Sequence, residues 1–220
     1  MSRWATFDCY GTLIDWDGGI AGELARLFGD GAAPRLLRRY HEIEPQVQAE
    51  DPARSYRSVL TLALERLAEE DDLALSDGEA DALARSLPAW QPFSEVTAAL
   101  EEARARGWRL AILSNTDRDF IEASKARLGG PFDETVVASE IGSYKPAHRH
   151  WEEFTRRTGA DPPRHVHVGA SHFHDVVPAT ELGLPTVWIN RLGETGDPPP
   201  TRELPTLAGL ADVLDELVRP

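Results

Sequence analysis

The sequence predicts an α/β fold in which helices cover both faces of a parallel β-sheet and an extra helical domain is inserted. Three observations predict it. From residue 93 onwards, short apolar runs alternate with helical segments of ~10–15 residues, which is typical of consecutive β-α-β units. Another apolar run, at 4–8, predicts a first strand. Between these parts, residues 16–92 place apolar side chains at helical spacing and contain no convincing strand.

From residue 93 onwards, the spacing of apolar residues predicts the strands and helices, and glycine and proline predict where they end. A helix ends near Gly107, and the tract 194–200, rich in glycine and proline, predicts a loop. Strands are predicted at 108–113, 135–138, 165–168 and 185–189, and helices at 96–106, 150–158, 175–182 and 207–218.

The helical segment interrupts the sheet directly after its first strand. Its prolines, Pro45 among them, mark predicted helix ends. An insertion at this point would rise above the C-terminal edge of the sheet and cover Asp8. The predicted domains are a core of residues 1–15 and 93–220 and a helical cap of residues 16–92.

Composition and charge exclude several classes of partner. The formal net charge is −14 at pH 7, which argues against nucleic acid or an anionic membrane surface. No apolar run approaches the ~18 residues of a membrane span, and the N-terminus lacks a secretory signal. The single cysteine, Cys9, excludes an internal disulfide. The sequence therefore predicts a cytoplasmic protein, and an anionic substrate would need local positive charge.

Reactive side chains follow the predicted strands at four places. Because the C-terminal ends of parallel strands meet at one edge of the sheet, these groups are expected to converge. They are Asp8 with Thr12, Ser114 with Asn115, Lys145 in Tyr144-Lys145-Pro146, and Ser171 through Asp175.

The order of these motifs resembles the haloacid dehalogenase (HAD) superfamily over essentially the whole chain. Tyr10, two residues after Asp8, and the closing run Trp188–Arg191 most resemble the type II 2-haloacid dehalogenase branch. The resemblance implies a Rossmann-like core with a helical cap. It also implies a cofactor-free reaction that displaces halide from a small 2-haloalkanoic acid to give a 2-hydroxy acid.

The resemblance assigns a role to each motif. Asp8 is the nucleophile that forms an aspartyl ester. Thr12 orients Asp8 or caps the next segment. Lys145 keeps Asp8 ionised, and Asp175 orients Lys145 or the water that cleaves the ester. Ser114 and Asn115 bind the substrate carboxylate, and Tyr10 lies beside the substrate.

Three positions depart from the branch pattern or are assigned only by approximate position. The cap arginine that receives halide is assigned to Arg39, with Arg38 as the alternative, and Glu44 would repel an anion if it faced the same pocket. Trp151 stands where the branch has tyrosine, and it is expected to offer the substrate an aromatic surface without the hydroxyl. Ser171 and His172 replace a Ser and Asn pair and are expected to supply hydrogen bonds.

Two other functions stay open at this point. One is a Mg²⁺-dependent HAD-type phosphatase acting on a small phosphorylated metabolite, with Asp8 and Asp175 as metal ligands. A departing alkoxide needs a proton, which the second Asp of phosphatases normally supplies, whereas halide leaves without one. Because Tyr10 stands at the position of that second Asp, the sequence favours dehalogenation. The other is a binding or regulatory protein. A metal bound by the histidines near Ser171 is not expected, and a homodimer through the cap has no support in the sequence.

Overall fold

The computed structural model describes residues 2–219 and has an α/β fold built on one parallel sheet. Within these residues the sheet has six strands in the order β3-β2-β1-β4-β5-β6. The order changes direction between β1 and β4, and ligands bind at such a switch point in open α/β sheets. The strands are β1 (Arg3–Phe7), β2 (Trp108–Ser114), β3 (Glu134–Val137), β4 (His165–Gly169), β5 (Thr186–Ile189) and β6 (Arg202–Leu204).

Helices pack on both faces of the sheet and also form the insertion. The central strand β1 is buried at every position, because it pairs with β2 on one side and β4 on the other. The helices are α1 (Trp16–Phe28), α2 (Ala33–Glu50), α3 (Tyr56–Glu70), α4 (Ala82–Ser86), α5 (Val96–Ala105), α6 (Arg118–Lys125), α7 (Ala138–Ile141), α8 (Arg149–Thr158), α9 (Val177–Glu181) and α10 (Leu210–Leu217).

The two ends of the insertion lie side by side. Ile14 bridges antiparallel to Pro92, and the N–H of Asp15 donates to the carbonyl of Gln91 at 2.9 Å. The chain therefore leaves and re-enters the core at one place, and α1–α4 lie beyond it. The division into two domains stays a prediction, since one apolar cluster runs through both parts.

Two predicted elements differ from the structure, and one observed strand has no counterpart in the prediction. Helix α2 continues through Pro45, so the prediction that this proline ends a helix is wrong. Buried side chains on both sides of it, Ile43 and Val47, hold the helix in place. The predicted helix at 175–182 starts earlier, as a π-helical turn His172–Val176 that leads into α9. Strand β6 was not predicted, because its three residues are largely exposed and polar and only pairing with β5 identifies them.

In the part of the chain that the structure describes, no helix is both long enough and apolar enough to cross a bilayer.

A core carboxylate holds the insertion in place. Asp117, just after β2, accepts hydrogen bonds from the backbone N–H groups of Tyr56 (3.0 Å) and Arg57 (2.9 Å) at the start of α3. These are among the N–H groups that a helix N-terminus leaves without intrahelical partners. Tyr56 in turn lines the cavity described below, so this contact positions part of the cavity wall.

We expect Asp117→Ala to lower the free energy of unfolding by about 1.5–3 kcal/mol, because it leaves two N–H donors of α3 without their charged acceptor. Asp119→Ala is the matched control, since it removes an exposed ion pair to Arg57 worth about 0–1 kcal/mol. Urea unfolding measures both. Equal losses would show that the contact with α3 does not stabilise the fold.

Candidate active site

A cavity of about 550 Å³ lies between the C-terminal edge of the sheet and the helical insertion. Asp8 follows β1, Lys145 lies in the loop between α7 and α8, and Asp175 lies in the π-helical turn after β4. All three line this cavity, together with Ser114, Asn115, Tyr10 and Ser171. The structure thus brings together most of the residues predicted from the sequence.

The centre of the site is one ammonium group between two carboxylates. Lys145 Nζ donates to Asp8 Oδ1 at 2.8 Å and to Asp175 Oδ1 at 2.6 Å, and the Lys145 side chain is only 1% exposed. Burial by itself would lower the pKa of Lys145, but the two carboxylates raise it above its usual value. Lys145 is therefore charged and screens the two acids from each other.

The two carboxylates differ in proton affinity. Burial raises the pKa of Asp8 from 3.8 to about 6, although Lys145 opposes the rise. Burial also opposes ionisation of Asp175, but Lys145 and His167 outweigh it and hold the pKa of Asp175 well below its usual value. Asp175 is therefore the permanent anion, and Asp8 is the acid whose charge changes near neutral pH.

Asp8 is also held by Thr12 from the side away from Lys145. Thr12 Oγ1 donates to Asp8 Oδ2 at 2.9 Å and accepts from the backbone N–H of Ala170 at 2.9 Å. Thr12 is fully buried and does not line the cavity. It therefore orients Asp8 and ties it to the segment after β4.

Asn115 and Ser114 have different tasks. The Asn115 side chain accepts from the backbone N–H of Lys145 at 2.6 Å and donates to the Lys145 carbonyl at 3.0 Å, so it holds the lysine loop. Ser114 Oγ is buried and has no hydrogen-bond partner among the described residues. Ser114 also lines the cavity, so this buried hydroxyl without a partner lies in the cavity wall.

Tyr10 contributes an aromatic surface rather than an acid. Its ring lines the cavity, and its hydroxyl lies 3.0 Å from Ser124 Oγ. Burial raises the pKa of Tyr10 well above 10.

A chain of buried polar groups runs under the site from Asp175. His167 Nε2 lies 3.3 Å from Asp175 Oδ1, His167 Nδ1 lies 2.9 Å from Thr6 Oγ1, and Thr6 Oγ1 lies 2.8 Å from His165 Nε2. Burial lowers the pKa of both histidines, so both are neutral. Because ionised Asp175 can only accept, His167 Nε2 donates to it, Thr6 donates to His167 Nδ1, and His165 donates to Thr6. Every donor therefore points towards Asp175.

The structure also explains why glycine ends β4. A Cβ at Gly169 would lie 2.4 Å from the carboxyl carbon of Asp175. Only glycine lets the π-helical turn bring Asp175 this close to the strand.

The prediction that Arg39 lines the pocket is wrong. Arg39 lies on the outer face of α2, where it pairs with Glu42 and, at 2.6 Å, with Glu70. The face of α2 that lines the cavity carries His41, and a step of two residues along an α-helix turns the side chain by about 200°. The alternative, Arg38, is exposed and does not line the cavity either.

Two further assignments need correction. Trp151 lies beneath the site, where its ring packs edge-on against His167 at 5.0 Å, and it does not line the cavity. His172 points away from the cavity: its Nε2 donates to the carbonyl of Pro198 at 2.9 Å and its ring packs on Trp188. His172 therefore stabilises the loop at 194–200 and does not contact the cavity where a substrate would bind.

Arg191 is a cation of the cavity wall for which the sequence analysis gave no role. Its Nη2 donates to the carbonyl of Thr12 at 2.9 Å and to Glu95 at 2.8 Å, and its guanidinium lies 3.5 Å over the ring of Phe93. Its Nε has no hydrogen-bond partner within residues 2–219. The signal was available, since Arg191 follows β5 and the ends of parallel strands share one edge.

The insertion lines the opposite wall with polar groups. Glu44 faces the cavity, and burial raises its pKa to about 7, so its negative charge is partly removed at neutral pH. Its Oε1 accepts from Gln48 at 2.9 Å, and His41 is hydrogen-bonded to Asp17 at 2.9 Å. Glu44 therefore repels an anion less than the sequence suggested.

The carboxylates do not fit a magnesium ion in this arrangement. Mg²⁺ bound between Asp8 and Asp175 would take their oxygens as ligands at about 2.0–2.1 Å, but Lys145 Nζ occupies the space between the two Oδ1 atoms. The Oδ2 atoms accept from Thr12 and from the backbone N–H of Ser171 (3.1 Å). A divalent ion that bridged the two Oδ1 atoms would therefore have to displace Lys145.

Comparison with known proteins identifies the family. A model described as haloacid dehalogenase-like hydrolase matches residues 3–183. The chain belongs to this family. This chain is 28% identical over 215 residues to (S)-2-haloacid dehalogenase H-109 of Pseudomonas putida. The alignment covers 94% of this chain and 96% of that protein. The chain is 27% identical over 197 residues to the glyceraldehyde 3-phosphate phosphatase of Methanothermobacter thermautotrophicus, covering 86% of each.

The fold agrees with solved structures of the family. The L-2-haloacid dehalogenase of Xanthobacter autotrophicus, solved with chloropropionic acid covalently bound, superimposes with a TM-score of 0.84 at 19% identity. The superposition covers 97% of this chain and 98% of that one. This likeness confirms the predicted Rossmann-like α/β fold of this hydrolase.

We expect the Asp8 carboxyl to titrate near pH 6, because burial favours its neutral form while Lys145 only partly opposes this. Carbon-13 NMR of protein labelled at aspartate carboxyls measures the titration, and loss of the signal in Asp8→Asn assigns it. Asp175 should show no titration in the same range. A pKa near 4 for Asp8 would show that burial does not control its charge.

Proposed function

We propose that this hydrolase displaces halide from a small 2-haloalkanoic acid through an aspartyl ester at Asp8, without a metal, and releases a 2-hydroxy acid. Ionised Asp8 attacks C2 of the substrate, the carbon–halogen bond breaks, and halide leaves with the bonding electrons. Water then attacks the ester carbonyl and regenerates Asp8.

The observation that carries this proposal is the ion pair of Asp8 with Lys145, together with Tyr10 at the position where phosphatases have a second Asp. Lys145 holds Asp8 ionised at the cavity without a metal ion. At the position where phosphatases have their second Asp, the Tyr10 hydroxyl is engaged by Ser124 and keeps its proton. Halide needs no proton to leave, whereas an alkoxide does.

The substrate anion needs positive charge near Asp8, and two groups of the cavity wall supply its partners. Arg191 brings a guanidinium with an unpaired Nε, and Ser114 brings an unpaired hydroxyl. Charge-assisted hydrogen bonds from arginine suit a carboxylate. We propose that these two residues bind the carboxylate of the substrate: Ser114 keeps the role that the resemblance gave it, and Arg191 joins it.

The family resemblance also supports the reaction. The relative from Pseudomonas putida is named for 2-haloacid dehalogenation, and the structure from Xanthobacter autotrophicus has chloropropionic acid covalently bound. The phosphatase relative keeps the alternative of Mg²⁺-dependent phosphoryl transfer to Asp8, which the position of Lys145 does not favour. The cytoplasmic location stays a prediction from the sequence, and a homodimer stays an open possibility that nothing in the sequence supports.

One turnover of 2-chloropropionate in ¹⁸O-labelled water tests the covalent route. We expect the heavy oxygen to enter the Asp8 side chain, because water attacks the carboxyl carbon of the ester. Mass spectrometry of the peptide that contains Asp8 measures the label. Label found only in the hydroxy acid would mean direct attack of water on the substrate. Phosphate release from p-nitrophenyl phosphate that requires Mg²⁺, without halide release from haloacids, would establish the phosphatase alternative.

We expect Asp8→Asn to abolish halide release while the protein stays folded, because the change removes the attacking charge and keeps the side-chain volume. Ion chromatography measures halide, and circular dichroism checks the fold. Asp30→Asn, at an exposed position, is the matched control and should retain full activity. Halide release by Asp8→Asn at the rate of the control would exclude Asp8 as nucleophile.

We expect Arg191→Leu to lower kcat/KM about 10–100-fold, because it removes a charge-assisted hydrogen bond worth about 1.5–3 kcal/mol. Arg39→Leu should change kcat/KM by less than about twofold, since its partners are exposed acids outside the cavity. Steady-state kinetics with 2-chloropropionate measure both variants. A larger loss of kcat/KM in Arg39→Leu than in Arg191→Leu would mean that the anion binds at the insertion rather than at Arg191.

A further inference from the structure

The π-helical turn after β4 carries a histidine that takes no part in the attack of Asp8 on the substrate. His174 lines the cavity, and its Nδ1 lies 3.0 Å from Ser171 Oγ. The same Oγ accepts from the backbone N–H of His174 at 3.1 Å. Ser171 therefore orients both the backbone and the ring. No hydrogen bond within residues 2–219 engages Nε2, the nitrogen on the far side of the ring.

Asp175 is poorly suited to take a proton from water. Its side chain is 1% exposed, Oδ1 accepts from Lys145 and His167, and Oδ2 accepts from the backbone N–H of Ser171. Three hydrogen bonds thus already engage its two oxygens, and they hold Asp175 as the partner of Lys145.

The segment that leads into the turn of His174 lies directly against the nucleophile. The backbone N–H of Asp8 donates to the carbonyl of Val168 at 3.0 Å, and Thr12 Oγ1 joins Asp8 Oδ2 to the backbone N–H of Ala170. The segment from Val168 to Ala170 leads immediately into Ser171 and the turn. His174 and Asp8 thus belong to two adjoining segments at one end of the cavity.

The other titratable groups of the cavity wall differ from His174 in place or in partners. On the insertion, His41 is hydrogen-bonded to Asp17, and Glu44 accepts from Gln48. On the core side, Asp15 accepts from the backbone N–H of Gly18, and Glu194 is exposed. Burial lowers the pKa of His174 to about 4, so its ring is neutral at neutral pH and one ring nitrogen has a lone pair to accept a proton.

We propose that His174, oriented by Ser171, is the general base that activates water to hydrolyse the Asp8 ester. The inference rests on the proposed function. In this step Nδ1–H donates to Ser171 Oγ, and Nε2 takes a proton from water as the water oxygen bonds to the carboxyl carbon of Asp8. The bond from that carbon to the ester oxygen then breaks. The leaving alkoxide of the 2-hydroxy acid takes the proton from Nε2. The second proton of the water stays on the Asp8 carboxyl, which releases it to solvent and is again a carboxylate, because its pKa is about 6.

A histidine serves both halves of this step, because it accepts a proton from water and returns it to the alkoxide. The first chemical step needs no such exchange, since halide leaves without a proton. Loss of the base should therefore affect hydrolysis of the ester and spare its formation.

The test follows the two steps separately in His174→Asn. Mixed rapidly with 2-chloropropionate, the variant should release one equivalent of halide per active site at the wild-type rate and then stall. Intact-mass spectrometry should find the substrate, less halide, bound to the peptide that contains Asp8. Ester hydrolysis should be slower by about 10²–10⁴-fold, the usual contribution of a general base. His148→Asn, which changes a half-exposed histidine paired with Glu181, is the matched control.

Rescue distinguishes a base from a merely structural residue. In His174→Ala, added imidazole should restore turnover in proportion to its unprotonated concentration, whereas a packing defect would not respond. Ser171→Ala should slow the same step by a smaller factor.

The outcomes separate this inference from the proposed function. A halide burst in His174→Asn with ester hydrolysis at the wild-type rate would overturn the role of His174 and leave the dehalogenase proposal intact. Absence of imidazole rescue together with a slowed first step would also overturn it. No halide from wild-type protein would overturn the proposed function, and this inference with it.

Discussion

The contact on which the site depends is the ammonium group of Lys145 between the carboxylates of Asp8 and Asp175. Two buried acids this close repel each other, and one would take up a proton if no cation lay between them. Lys145 keeps both in place, but unequally: Asp175 is the permanent anion, while burial leaves Asp8 with a pKa of about 6. A reactive carboxylate can thus be held at the cavity without a divalent ion.

Burying this charged group costs free energy that neighbouring donors must offset. The chain from His165 through Thr6 and His167 does so, because every hydrogen bond in it points towards Asp175. Thr12 donates to Asp8, and the Asn115 amide both accepts from and donates to the Lys145 backbone. These partners come from several strands and loops that meet at one edge of the sheet. A net charge of −14 does not prevent an anionic ligand, since the donors nearest Asp8 decide the local field.

The motifs at strand ends predicted the reacting groups because parallel strands share one edge. Asp8, Lys145, Asp175 and Ser114 lie together for this topological reason, and the family confirmed the fold. The prediction of a cap arginine on the insertion failed. Arg39 lies on the predicted helix, yet it projects from the face of α2 that points away from the cavity. Its direction depends on how that helix packs over the core, and apolar spacing does not determine the direction of each polar side chain.

The sequence by itself determined the sheet, the helical insertion and the carboxylate at the first strand end, because periodicity and strand-end chemistry are local properties of the chain. Only the tertiary structure decided which cations reach the cavity, that Glu44 faces it, and that Asp175 accepts from Lys145, His167 and the backbone of Ser171. It also decided that His174, one residue before Asp175, faces the cavity. These properties depend on burial and on partners distant in sequence, such as Lys145 and Asp8, which are 137 residues apart. Local residue patterns do not encode such contacts.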